Sequence, residues 1–151
     1  MRNQKGITLI ALVITIIVLL ILAGVSIAML TGKNGLLNKS QQAVMDNALG
    51  TAKDEISIAA QTGMSEYLED KYTSTNGTNT DKTGAVYVQE AIVKEVDSDA
   101  TDGTAIIEDQ EYNGCEVTVA AGKVTIVNNT RKVEGTIDSD GTLTWDPITN
   151  V

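Results

Sequence analysis

The chain has 151 residues and a formal net charge of −9, with one Cys, no His and no Phe. A lone Cys makes no internal disulfide, and without His both the commonest metal ligand and the commonest general base are missing. The basic residues Arg2, Lys5, Lys33 and Lys39 precede Asp46, the first of twenty acidic residues, so the later part is strongly acidic and nucleic acid is not an expected partner.

Met1 to Lys5 is a short polar leader, with Arg2 and Lys5 ahead of an apolar run from Gly6 to Leu30. The run holds no charge, no Pro and no Asn or Gln, and the hydroxyls of Thr8, Thr15 and Ser26 can return to helix carbonyls. As a helix rising about 1.5 Å per residue it covers a hydrocarbon core of about 30 Å. Its apolar residues lie all round, which suits lipid or the centre of a bundle. The basic leader predicts a cytoplasmic N-terminus and a translocated C-terminal part. A secretory signal peptide is the competing expectation: Ser26 and Ala28 supply small residues that would leave a mature chain starting at Met29, but the run exceeds the usual 7–15 or so apolar residues.

Lys5-Gly6-Ile7-Thr8-Leu9-Ile10, followed by an unbroken apolar helix, resembles the class III signal of type IV pilins and type II secretion pseudopilins. The resemblance covers the leader and the first helix. It implies that a prepilin peptidase cuts after Gly6 and that Ile7 is then N-methylated. The partners it implies are other pilin or pseudopilin subunits, the peptidase, the pilus assembly machinery and the membrane, with an extracellular filament as the end point. Two positions depart from the family pattern. Ala11 stands where the family has a Glu that answers the N-terminal amine of a neighbouring subunit, and the family's helix-softening Pro is missing, although Gly24 supplies some flexibility. An unanswered amine is better tolerated at a filament tip, so Ala11 favours a minor subunit over a major one.

Thr31-Gly32-Lys33-Asn34-Gly35 reads as a helix stop or kink at the outer membrane surface. Leu36, Val44, Ala48, Ala52, Ile56 and Ala60, helped by Leu37, Ala43 and Ala59, then predict one apolar face of an amphipathic helix. Met64 to Tyr72 either continues that helix or forms a second. Residues 73–84 are a polar surface loop, whose Asn76-Gly-Thr78 matches a glycosylation sequon in a composition where chance matches are expected. Val88, Ile92 and Val96 predict a short helix over 85–96. From about Ala105 the period changes to two, and Cys115, Val117 and Val119, then Val124 and Ile126, then Ile137, then Leu143 and Trp145 predict an antiparallel meander of about four strands. One face of it is expected on the helix, the other in water, with Cys115 as a small core residue.

For chemistry there is little. Asp97, Asp99 and Glu108 occupy the first, third and twelfth places of a calcium-loop pattern, but Asp102 stands where the turn-making Gly belongs, so the stretch reads as a charged solvated loop. No Gly-x-Ser-x-Gly elbow is present and a Ser nucleophile would have no His. Neither a cofactor nor an enzymatic activity is expected. The fold expected is α+β: a leader over 1–6, a membrane or filament-core helix over 7–30, and an extracytoplasmic head over 31–151 that includes the outer half of the stem helix. The competing expectation is an uncleaved single-span protein whose acidic head binds a partner.

Overall fold

A computed structural model describes residues 5–32, 35–73, 82–100, 103 and 106–151. The chain divides into two compact units, Met1–Ala43 and Val44–Val151.

In the first unit, helix α1 spans Lys5–Thr31. From Leu9 to Leu30 every large apolar side chain is exposed, as the all-round pattern anticipated. Three of its hydroxyls return to the helix backbone. Thr15 donates to Leu12 O at 2.8 Å, Ser26 to Leu22 O at 2.8 Å and Thr31 to Ile27 O at 2.9 Å. The helix then breaks at the glycines. Gly35 N–H donates to Gly32 O at 2.6 Å, and Asn38 Nδ2 donates to the same carbonyl at 3.0 Å. Helix α2, Leu36–Thr73, starts directly afterwards, with Lys39 N–H on Gly35 O at 3.1 Å.

The second unit holds most of α2, helix α3 (Gly84–Val96) and one antiparallel sheet. Leu49, Ala52, Ile56, Ala59, Ala60 and Gly63 recur at three- and four-residue steps and form the buried face of α2. This corrects part of the expected face. Ala52, Ile56, Ala59 and Ala60 are buried, but Val44 is 67% exposed, as are Leu36 at 72% and Leu37 at 50%, and Leu49 takes the place in the core. Leu49 lies about 100° round the helix from Ala48 and about 140° from Val44, enough to turn the face away from the residues chosen by apolarity alone. Met64 to Tyr72 continues α2 without interruption. On α3, Val88, Ile92, Val93 and Val96 are buried.

The sheet has strands β1 (Ile107–Tyr112), β2 (Cys115–Ala120), β3 (Lys123–Asn128), β4 (Arg131–Ile137), β5 (Leu143–Trp145) and β6 (Thr149–Asn150). The order is β1-β2-β3-β4-β5, with β6 also pairing β4. There are thus six strands among the described residues where about four were expected. In β1 only Ile107 is buried, so it gives no alternating apolar signal; it is an edge strand with a register shift before Gln110, where Asp109 sits at φ 51°. The opposite edge is divided, because Asp146-Pro147-Ile148 separates β5 from the two-residue β6.

Val117, Ile126 and Val133 align across β2, β3 and β4, and Val119, Val124 and Gly135 form the neighbouring row. These rows, with Cys115 and Ile137, close onto the apolar faces of α2 and α3 as one core. Trp145 is Gly135's partner in register, and a Cβ built on Gly135 would stand 2.8 Å from the Trp145 ring. The absent side chain gives the ring its seat. From there Trp145 Nε1 donates to Ser57 Oγ on α2 at 3.0 Å. Asn113-Gly114 makes the β1–β2 turn at φ 53° and 75°, as two-residue hairpins require.

Candidate functional site

The two residues expected at the processing junction, Gly6 and Ile7, lie in the first turn of α1, immediately after Lys5. The helix beyond them is chemically uniform. After Lys5 the next charged residue is Lys33, and α1 has no acidic residue in its first turn; Ala11 and Gly24 both belong to this uncharged surface. A Cβ built on Gly24 meets nothing within 4 Å, so that glycine is not demanded by packing inside the chain. Hiding a large apolar side chain from water gains about 1.5–3 kcal/mol. Multiplied along α1, that gain makes an apolar surrounding obligatory, and the returned hydroxyls remove the usual polar objection to one. By length and composition α1 can cross a membrane.

The acidic candidates are placed differently. Asp97 closes α3, donating its N–H to Val93 O at 2.8 Å, while its Oδ1 accepts the Asp99 N–H at 3.1 Å. Glu108 lies exposed on β1, and Asp102 lies outside the described residues, as does the sequon Asn76-Gly-Thr78. Among the described residues no three Asp, Glu, Cys or His side chains gather in a group able to hold a metal ion. A concavity of about 380 Å³ beside the β1–β2 turn is lined by Asp109, Glu111, Cys115, Glu116 and Asn128, among others. Burial pushes the Cys115 thiol up from its ordinary value, and the Asn128 amide, 3.6 Å from Sγ, only partly offsets this. The thiol is a core group, buried with the strand face that carries it.

Polar ties that no local pattern signals hold the second unit together. Arg131 grips Asp46 through Nε to Oδ1 at 2.8 Å and Nη2 to Oδ2 at 3.1 Å, while its Nη1 reaches Asn150 Oδ1 at 2.8 Å. The Asp46 carboxylate pushes the guanidinium up from its ordinary value. Tyr112 Oη donates to Glu95 Oε1 at 2.8 Å, and the neighbouring Asn113 amide donates to Glu55 Oε2. These groups fasten the first turns of the sheet to α2 and α3.

Residues 1–27 match the family model of the prokaryotic N-terminal methylation motif. The chain opens with a prepilin-type signal. The match spans the leader and most of α1, including the stretch from Leu9 onward whose large apolar side chains are exposed. No curated protein and no solved structure matches the chain. The similarity is therefore confined to the signal and its helix, in a chain whose fold is α+β.

Proposed function

We propose that the chain is a structural subunit of a type IV pilus-like or pseudopilus filament, cut between Gly6 and Ile7 by a prepilin peptidase and methylated on Ile7. In this reading residues 1–6 are the cytoplasmic leader, 7–30 the membrane and later filament-core helix, and 31–151 the extracytoplasmic head. The observation that carries it is the coincidence of the methylation motif with a helix that is uncharged beyond Lys5 and whose large apolar side chains are exposed from Leu9 to Leu30. Lipid covers that surface before assembly, and the helices of other pilin or pseudopilin subunits cover it afterwards, so extraction never transfers it to water. The work is mechanical, not catalytic. Ala11 offers no carboxylate to a neighbour's amine, which favours a minor subunit at a position where that pairing is not needed.

Intact-mass spectrometry of the protein from its native host tests the processing step. The expected mass lacks Met1 to Gly6 and carries one methyl group, and Gly6→Val leaves the leader attached because the side chain bars the backbone from the protease cleft. Full-length protein from a host with an active peptidase would overturn the reading in favour of an uncleaved single-span anchor with an acidic binding head. A mature chain starting at Met29 would instead indicate signal-peptide removal.

A further inference from the structure

We propose that Asn113-Gly114 is a deamidation site and that Glu55 of α2 is the residue that holds it in check. Asn113 is exposed in the β1–β2 turn, and among the described residues it is the one Asn followed by Gly. Elsewhere a side chain on the next residue hinders attack on the Asn amide: Asn47, Asn128 and Asn150 precede Ala48, Asn129 and Val151. Gly114 removes that hindrance. A Cβ built on it would meet nothing within 4 Å, so a ring closed at this point has room.

The step is intramolecular. The Gly114 backbone nitrogen bonds to Asn113 Cγ, the Cγ–Nδ2 bond breaks, and the Gly114 amide proton leaves with Nδ2 as ammonia, which gives a succinimide. Water then opens that ring at either carbonyl and leaves aspartate or isoaspartate at 113, so the sum is amide plus water to carboxyl plus ammonia. The structure commits the amide to another partner. Asn113 Nδ2 donates to Glu55 Oε2, across 58 residues, while Asn128 Nδ2 donates to Gly114 O at 3.1 Å and fixes the backbone of the turn. Ring closure therefore waits on a rotation of the Asn113 side chain that breaks its bond to Glu55.

The product matters because of where it lands. Asn113 and Tyr112 fasten the first turn of the sheet to α2 and α3. A carboxylate at 113 converts the Glu55 contact from donor and acceptor into like charges, next to Glu111 and Glu116, which already oppose each other across β1 and β2. Isoaspartate also lengthens the backbone of a two-residue turn whose geometry sets the register of the two strands. Deamidation thus cuts one tie between the sheet and α2 irreversibly, whether or not the chain is processed at its N-terminus.

Full-length protein in lipid nanodiscs, incubated at neutral pH and mapped by peptide mass spectrometry, reports the aspartate and isoaspartate formed at 113. The native rate is expected to be about ten-fold or more below that of the chain unfolded in urea, the share that a hydrogen bond to a charged group withholds. Glu55→Ala raises it toward the unfolded rate, and Glu55→Gln, which keeps an acceptor oxygen without the charge, falls between. Tyr112→Phe controls for loosening, since it cuts the other tie of the turn and leaves Asn113 on Glu55. Asn113→Asp, the product made directly, lowers the urea midpoint read by Trp145 fluorescence, and most of that loss is regained when Glu55→Gln is added. The same fluorescence checks that each variant is folded. A native rate equal to the unfolded one, a Glu55→Ala rate equal to the native one, or a Tyr112→Phe acceleration as large as that of Glu55→Ala would overturn the proposal.

Discussion

Tyr112 shows how one proton can be tied to the fold. Burial pushes its hydroxyl up from its ordinary value, and the carboxylates of Glu95 and Glu55, accepting from or facing it, push in the same direction. A folded-state value above the unfolded one means that, as pH rises, the unfolded chain loses this proton first. The stabilisation is therefore complete below about pH 10 and is lost as pH climbs above it. Tyr112→Phe is expected to cost about 0.5–1.5 kcal/mol at neutral pH, the usual worth of one hydrogen bond, and to flatten the stability decline above about pH 10. Urea unfolding followed through Trp145 at several pH values measures both, in a Cys115→Ala background because the buried thiol has the same sign. Parallel alkaline slopes for the two proteins would mean that the Tyr112 proton is not the linked one.

Between elements, the crossing of α2 and α3 depends on Gly63. A Cβ there would stand 2.6 Å from Tyr87 O, 2.8 Å from Ala91 Cβ and 2.9 Å from Val88 Cα. In Gly63→Ala the gain in helix propensity of about 1 kcal/mol meets an overpacking cost of about 1–3 kcal/mol. Two of the three obstacles are backbone, which puts the cost toward the top of that range, and a net loss of up to about 2 kcal/mol is expected. Gly50, on the same helix, has nothing within 4 Å of its missing Cβ. Gly50→Ala should therefore stabilise by about 0.5–1 kcal/mol. Denaturant midpoints of the two variants decide it, and shifts of the same sign would refute the packing argument.

The pair also marks what sequence can and cannot disclose. The charge-free run before Leu30, the Val88, Ile92 and Val96 steps of α3 and the alternation around Cys115 were legible because each rests on local spacing. Strand β1 was not, since Ile107 is its one buried residue, and Val44 misled because apolarity does not say which surface covers it. Gly63 and Gly50 look alike in sequence. Arg131 and Asp46 meet across 85 residues, a separation with no local signature. Of the candidate site, the junction proposed at Gly6 and Ile7 comes from the motif alone, whereas the Asn38 amide meets Gly32 O six residues back, a contact that no helical or strand spacing encodes.

At the scale of the whole molecule, the apolar surface of α1 and the continuous core of Val44–Val151 belong to different compact units. A fragment beginning at Leu36 is expected to be soluble and to show mixed helical and β signals by circular dichroism, with a cooperative thermal transition. A disordered spectrum or aggregation would mean that the head needs the apolar helix to fold.

The sheet's two borders have a consequence for how such heads live together. A subunit that polymerises brings its neighbours to very high local concentration, the condition under which open strands recruit one another into cross-β fibrils. Here one border carries the Asp109 bulge between Glu108 and Glu111, and the other is interrupted at Pro147. Neither offers an unbroken row of backbone donors and acceptors. In the filament proposed above, heads could then be crowded without templating each other, which would leave the choice of neighbour and register to the helices and keep ordered polymerisation apart from amyloid.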